Sequence, residues 1–177
     1  YWHNWPDENH IQGYKRIVIK NAESRVEALL KNEVDMIDWA PPTTQADLKS
    51  KGYYIVEEPT TRVYEIKFNN QVGYTADPHV RKAISYAFDY QALKEVWAGR
   101  AVLLNGPLPK GLEYESRDLT PYRLDLKKAR AQLKKSAWPD GGFLLDFVYV
   151  TGPEEEKKTG LILKEQLRHL NIKVNII

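Results

Sequence analysis

Histidines and close-set carboxylates are the side chains of this chain best equipped for chemistry. His3 and His10 bracket Asp7 and Glu8, a set with metal-capable atoms. A zinc site needs three or four ligands converging at fixed geometry, and a turn around Pro6 imposes no such convergence. No metal and no cofactor is therefore expected. His79 precedes a helical pattern and His169 lies near the end of another, where positive charge is favourable, so both have structural explanations. No Gly-x-Ser-x-Gly, phosphate-binding glycine loop or His-Glu-x-x-His occurs. Ser24, Ser50, Ser85, Ser116 and Ser136 fall in helical patterns or at their ends, without a nearby base. The acid pairs Asp35/Asp38 and Glu57/Glu58 and the run Glu154-Glu155-Glu156 read as solvated faces, since catalytic carboxylates must confront each other across a cleft. No catalytic residue emerges, and the chain is read as a non-enzyme.

Aromatic residues carry more. The sequence holds five Trp and eleven Tyr, and Trp2, Trp5 and Trp39 stand beside expected loop ends. Rings of this kind usually serve as partly buried anchors with the indole N–H satisfied. Trp39 differs, because it follows an expected strand at the carboxyl edge of a βαβ unit, where open parallel sheets bind ligands.

The elements that would position it follow from periodicity. Residues 1–13 read as an aromatic-rich loop. Alternation predicts strands at 15–20 and 34–38, with a helix at 24–31 between them, closing the βαβ unit. Pro41-Pro42 stops the second strand, and a short helix is expected at 44–51. Strands follow at 53–57 and 62–69, the latter with Tyr64, Ile66 and Phe68 on one face and Glu65 and Lys67 on the other. After the Gly- and Pro-punctuated stretch 71–78 the pattern turns helical, with a hairpin of helices over 80–88 and 92–97 ending at Gly99. An irregular stretch spans 105–122, either a packed surface loop or a functional one. Asp125 caps a helix over 125–137, then come a strand at 143–150, a helix at 158–170 and a terminal strand at 171–177.

Of the 177 residues 42% are hydrophobic and 28% charged, ordinary globular shares, and no apolar run is long enough for a bilayer span. A net charge of +2 gives no field that would draw the chain to nucleic acid. The lysine-rich helix with Lys127, Lys128, Lys134 and Lys135 has an inward apolar row and no interleaved rings for base stacking. The absence of cysteine removes disulfides and thiolate sites and leaves the compartment open. Tyr1 to Pro6 lack a basic start and an apolar core, so they read as the inside of a longer protein rather than a signal peptide. The chain is also read as ending in mid-fold at Ile177.

Several segments in order resemble the family 5 extracellular solute-binding proteins of ABC importers, the oligopeptide, dipeptide and nickel binding group. Residues 25–35, RVEALLKNEVD, look like the pattern R-x-x-A-L-x-x-G-E-(V/I)-D, with Asn32 where glycine is usual. Asn is the next best residue for a left-handed helix end. Phe68-Asn69, then Asp77, Val80, Arg81, Ala83, Ile84, Ala87, Phe88 and Asp89, resemble F-N … D-x-x-V-R-x-A-(I/L)-x-x-A-(I/F)-D, the most specific match. Residues 99–101 and 106–109 are similar to G-x-A … G-P-(L/I)-P, residues 125–133 with Gly142-Phe143 to D-x-x-K-A-x-x-L-L … G-F, and residues 166–174 to Q-L-x-x-(I/L)-(G/N)-I-x-V.

The resemblance implies an α/β fold, part of the two-lobe periplasmic-binding-protein (type II) architecture, whose lobes close on ligand like a clamp. Residues 1–59 would end the first lobe, 60–70 form a hinge strand and 71–177 begin the second lobe. Carried over by position, the ligand-binding residues are Asp38, Trp39, Ala40, Thr61, Arg62 and Tyr64. An indole and a phenol offer broad apolar contact, and Asp38 and Arg62 suit a ligand's charged ends. Arg62 has a second reading, an ion pair with Glu57 or Glu58. The implied function is reversible capture of a small solute, above all a peptide, and its delivery to an ABC permease in the membrane, without nucleic acid. The protein is expected as a monomer in the periplasm or lipoprotein-anchored outside the cytoplasmic membrane. The alternative is a ligand-sensing domain of a cytoplasmic transcriptional regulator.

Overall fold

Short polar side chains start the helices. Asn21 Oδ1 accepts from the Ser24 amide at 2.8 Å, and α1 runs from there over Ala22–Leu30. Asn32, at φ +58°, ends it: the Glu33 amide returns to the Ala28 carbonyl at 2.9 Å and the Asn32 amide to Leu29 at 3.1 Å. These two bonds close a helix on a left-handed residue, the role expected of Asn32 in the glycine position. The computed structural model describes residues 13–177 except 59, 110–111, 115–117, 151 and 153. The chain divides into two compact units, Tyr1–Ala40 and Pro41–Ile177.

In the first unit α1 is the one regular element among the described residues, and it buries Ala22, Val26, Ala28 and Leu29. The strands expected at 15–20 and 34–38 do not form, so no βαβ unit is built there from described residues. Alternation marks which side chains want cover, but a ladder also requires a neighbouring strand to supply N–H and C=O partners. No such neighbour is described here, and Ile17, Val18 and Met36 stay exposed.

The second unit opens with α2, Pro42–Ser50, where proline at the first helical position forfeits only an amide that has no intrahelical partner. The strands expected at 53–57 and 62–69 again lack ladders. The face predicted for the second is nevertheless realised: Ile66 and Phe68 pack on the core while Glu65 and Lys67 are exposed. Asn69 starts the next turn, its Oδ1 accepting from the Gln71 amide at 3.0 Å. The Thr75 hydroxyl donates back to the Asn69 carbonyl at 2.6 Å.

Asp77 caps α3, Pro78–Ala87, by accepting from the His79 amide at 2.7 Å, and its other oxygen accepts from the Ala137 amide at 3.1 Å. One carboxylate thus joins the start of α3 to the residues beyond α5. Desolvation opposes its charge, but the amides of Ala137, His79 and Val80 outweigh that and hold the carboxyl below its usual range. Arg81 donates to the carbonyls of Thr75 and Ala76 at 2.8 and 2.9 Å. Asp89 caps α4, Tyr90–Val96, and Asp125 caps α5, Leu126–Leu133. The helix expected over 125–137 stops early, where the Ser136 hydroxyl turns back to the Leu133 carbonyl at 2.6 Å.

β1, Leu144–Phe147, α6, Glu154–Leu167, and β2, Lys173–Ile176, form a βαβ unit with parallel strands in register Leu144↔Lys173 to Phe147↔Ile176. α6 begins earlier than periodicity indicated, because the acid run Glu154-Glu155-Glu156 is its first turn, where carboxylates favour the helix dipole. Glu155 is buried rather than solvated. Gly160 lets α6 approach the sheet, since a Cβ there would lie 2.8 Å from Phe147 Cδ1. The core joins Val80, Ala83, Ile84 and Ala87 of α3, Ala129 and Leu133 of α5, and Leu163 and Leu167 of α6 with Phe143, Ile172 and Val174. Among the described residues no helix is long and apolar enough to cross a membrane.

Candidate ligand-binding site

Asp38 and Trp39 follow the turn that closes α1, and one residue of that helix meets both. Arg25 Nη1 donates to Asp38 Oδ1 at 3.0 Å, and the Arg25 guanidinium carbon lies 5.8 Å from the centre of the Trp39 ring. The arginine side chain is 23% exposed and the aspartate 71%, so the carboxylate is open to solvent while the cation beside it is largely covered. Arg25 Nε is buried without a hydrogen-bond partner. Ala40 is buried at the end of this unit.

Thr61, Arg62 and Tyr64 belong to the second unit. Thr61 and Arg62 are exposed, and the Arg62 amide donates to Thr60 Oγ1 at 3.3 Å. The ion pair considered for Arg62 is not made: Glu57 pairs with Arg100 at 3.0 Å, and Arg62 has no ionic partner among the described residues. Tyr64 is tied to the helices. Its ring meets Trp97 edge-on at 5.3 Å, and its hydroxyl lies 3.2 Å from Thr159 Oγ1. The Thr159 hydroxyl hydrogen is already given to the Glu155 carbonyl at 2.7 Å, so Tyr64 is the donor. Burial pushes the phenol above its usual pKa, and the Glu156 and Glu155 carboxylates reinforce it. Tyr64→Phe should therefore cost about 0.5–1 kcal/mol, read as a lower urea midpoint with unchanged m-value. An unaltered midpoint would mean the hydroxyl is held no better by Thr159 than by water.

A cleft of the second unit, about 580 Å³, is lined by Asp89, Tyr90, Gln91, Lys94, Leu103, Arg123 and Leu124, none of them an expected site residue. Tyr90 donates there to the Ser85 carbonyl at 3.0 Å, and burial pushes its phenol up to about 12. His79 Nδ1 lies 3.0 Å from Gln132 Oε1, a structural engagement. His3, His10, Asp7, Glu8, Trp2 and Trp5 lie outside the described residues. Sequence reasoning missed Arg25, Trp97 and Thr159, which touch expected residues, and Arg100, which takes Glu57 away from Arg62. Only Arg25 carried a signal, as the first position of the R-x-x-A-L pattern.

A family model of the bacterial extracellular solute-binding proteins, family 5 Middle, matches residues 1–177. The chain belongs to that family. The probable D,D-dipeptide-binding periplasmic protein DdpA of Escherichia coli is 26% identical over 169 residues, 92% of this chain and 32% of that protein. The glutathione-binding protein GsiB of Salmonella choleraesuis is 31% identical over 138 residues, 76% of this chain and 27% of that one. The chain thus spans about a third of the length of the curated relatives it matches. Among solved structures, the periplasmic binding protein DppA of Helicobacter pylori in complex with the peptide STSA superposes with a TM-score of 0.74 at 24% identity. That match covers 90% of this chain and 31% of DppA. The binding protein AgaA of A. tumefaciens in complex with agropinic acid gives 0.71 at 25% identity, covering 90% and 33%. The fold is therefore part of the type II periplasmic-binding-protein fold, as the resemblance implied.

Proposed function

We propose that this family 5 chain is the central part of the substrate-binding component of an ABC import system, which captures a small peptide outside the cytoplasmic membrane and hands it unchanged to a membrane permease. The observation that carries the reading is the match of the family model over residues 1–177, with dipeptide- and glutathione-binding proteins among the relatives. Residues 1–59 act as the end of the first lobe, 60–70 as the hinge strand and 71–177 as the start of the second. The unpaired segments 15–20, 34–38, 53–57 and 62–69 then find their ladder partners in the rest of the protein. Asp38, Trp39 and Ala40 of the first unit and Thr61, Arg62 and Tyr64 of the second act as ligand-binding residues, with Arg62, free of other ion pairs among the described residues, receiving a peptide carboxylate.

The test is mass spectrometry of whatever co-purifies with the intact protein, followed by calorimetry with that ligand. A peptide is the expected finding. Trp39→Ala should weaken its binding by about 30-fold, as removal of a buried aromatic anchor does. Affinity within twofold of wild type would remove Trp39 from the site, and a non-peptide ligand would leave capture standing while ending the peptide assignment.

A further inference from the structure

A ladder fixes backbone and not the rotamers of the side chains at its end, so the attitude of Asp38 and Trp39 depends on what their side chains touch. We propose that Arg25 is the positioning residue of the ligand site, orienting the Trp39 indole and the Asp38 carboxylate with a single guanidinium. The proposal rests on the reading that Trp39 touches ligand and deepens it by saying what sets the ring's attitude.

The geometry is specific to arginine. A planar guanidinium can lie against an aromatic ring and donate from its edge to a carboxylate at the same moment, whereas an ammonium is a point charge that serves one partner well. Arg25 does both, at 5.8 Å to the Trp39 ring centre and 3.0 Å to Asp38 Oδ1. It projects from α1, whose two ends are closed by Asn21 and Asn32, so the cation is mounted on a rigid base. Its Nε is buried without an acceptor, a cost that shorter or unbranched side chains would avoid. Because Arg25 balances the charge of Asp38 through one oxygen, the other oxygen is presented to solvent as an oriented acceptor rather than a free counter-charge. Loss of the arginine would leave indole and carboxylate present but loose, and preorganisation is what binding affinity draws on.

The experiment uses the intact protein labelled with fluorinated tryptophan, with Trp39→Phe to assign the Trp39 signal. Two quantities are read: the Trp39 fluorine shift without ligand, and depletion of an equimolar library of di- and tripeptides by mass spectrometry. Arg25→Met should move the Trp39 resonance and reduce peptide capture about tenfold, while the melting temperature changes little because α1 keeps its caps and buried face. Arg25→Lys should recover less than half of the captured peptide. Asp38→Asn, which keeps the guanidinium over the ring and guards against a variant that does not fold, should shift the resonance less than Arg25→Met. An unmoved Trp39 resonance in Arg25→Met, or full recovery with lysine, overturns the proposal. If wild type captures no peptide, the peptide assignment falls while the fluorine shift still decides the positioning role. If Trp39→Ala abolishes capture and Arg25→Met does not, the function stands and this proposal fails.

Discussion

Gly141→Val is expected to strip hydrogen-exchange protection from both strands of the βαβ unit in the intact protein. Gly141 has φ +71°, a region that costs a residue with a Cβ about 1–2 kcal/mol and a β-branched one more. A Cβ there would also collide with the Leu170 carbonyl oxygen and lie 2.8 Å from that of Asn171. Both obstacles are backbone and cannot rotate aside. The Asn171 carbonyl is moreover committed, accepting from the Gly142 amide at 2.7 Å, and Asn171 Nδ2 donates to the Asp140 carbonyl at 3.0 Å. Asn171 itself is left-handed, at φ +55°. Two tight turns therefore lock together just ahead of β1 and β2 and set the register Leu144↔Lys173. Strain and clash together should cost about 3–5 kcal/mol. Exchange of the amides in 144–147 and 173–176 as slow as in wild type would show that the turns relax without moving the strands.

The same place shows what was legible in the sequence. Helices could be read because each brings its own evidence, an apolar face at the right period and a cap: Asp77, Asp89 and Asp125 accept from the amides their positions demand. Asn32, in the glycine position of its pattern, and Asn171, in a Gly-or-Asn position, both adopt positive φ. The most specific pattern, from Phe68 to Asp89, proves to be scaffolding. Phe68 packs on the core, Asn69 and Thr75 build the turn, Arg81 closes it, and Asp77 and Asp89 cap consecutive helices. Four expected strands were not realised, because alternation fixes a buried face locally whereas a ladder depends on a partner elsewhere in the chain. In the site, Asp38 and Trp39 could be singled out by position after a helix-to-strand pattern. Their dependence on Arg25 could not, since it rests on how the turn at Asn32 brings the chain back past α1. The Glu57–Arg100 pair, which leaves Arg62 free among the described residues, joins segments far apart in sequence and has no local signature at all.

Leu167→Ala should destabilise the second unit by about 3–4 kcal/mol, lowering its calorimetric transition in the intact protein by roughly 10 °C. Leu167 is 0% exposed and closes α6 at the point where the chain turns toward β2, its carbonyl accepting from the Ile172 amide at 3.1 Å. Truncation removes apolar atoms from the core shared by α3, α5 and α6, and the fixed turns at Gly141 and Asn171 limit how far the walls can collapse into the gap. Leu161, on the same helix but 51% exposed, is the matched control, and its replacement by alanine should stay within about 0.5 kcal/mol. The consequence reaches a proposed ligand-binding residue, because α6 also carries Thr159, the acceptor for the Tyr64 hydroxyl. If α6 supports that residue, Leu167→Ala should weaken ligand capture beyond what the unfolded fraction explains, and the excess should vanish in a Tyr64→Phe background. Equal loss in both backgrounds would separate the packing of α6 from the placement of Tyr64.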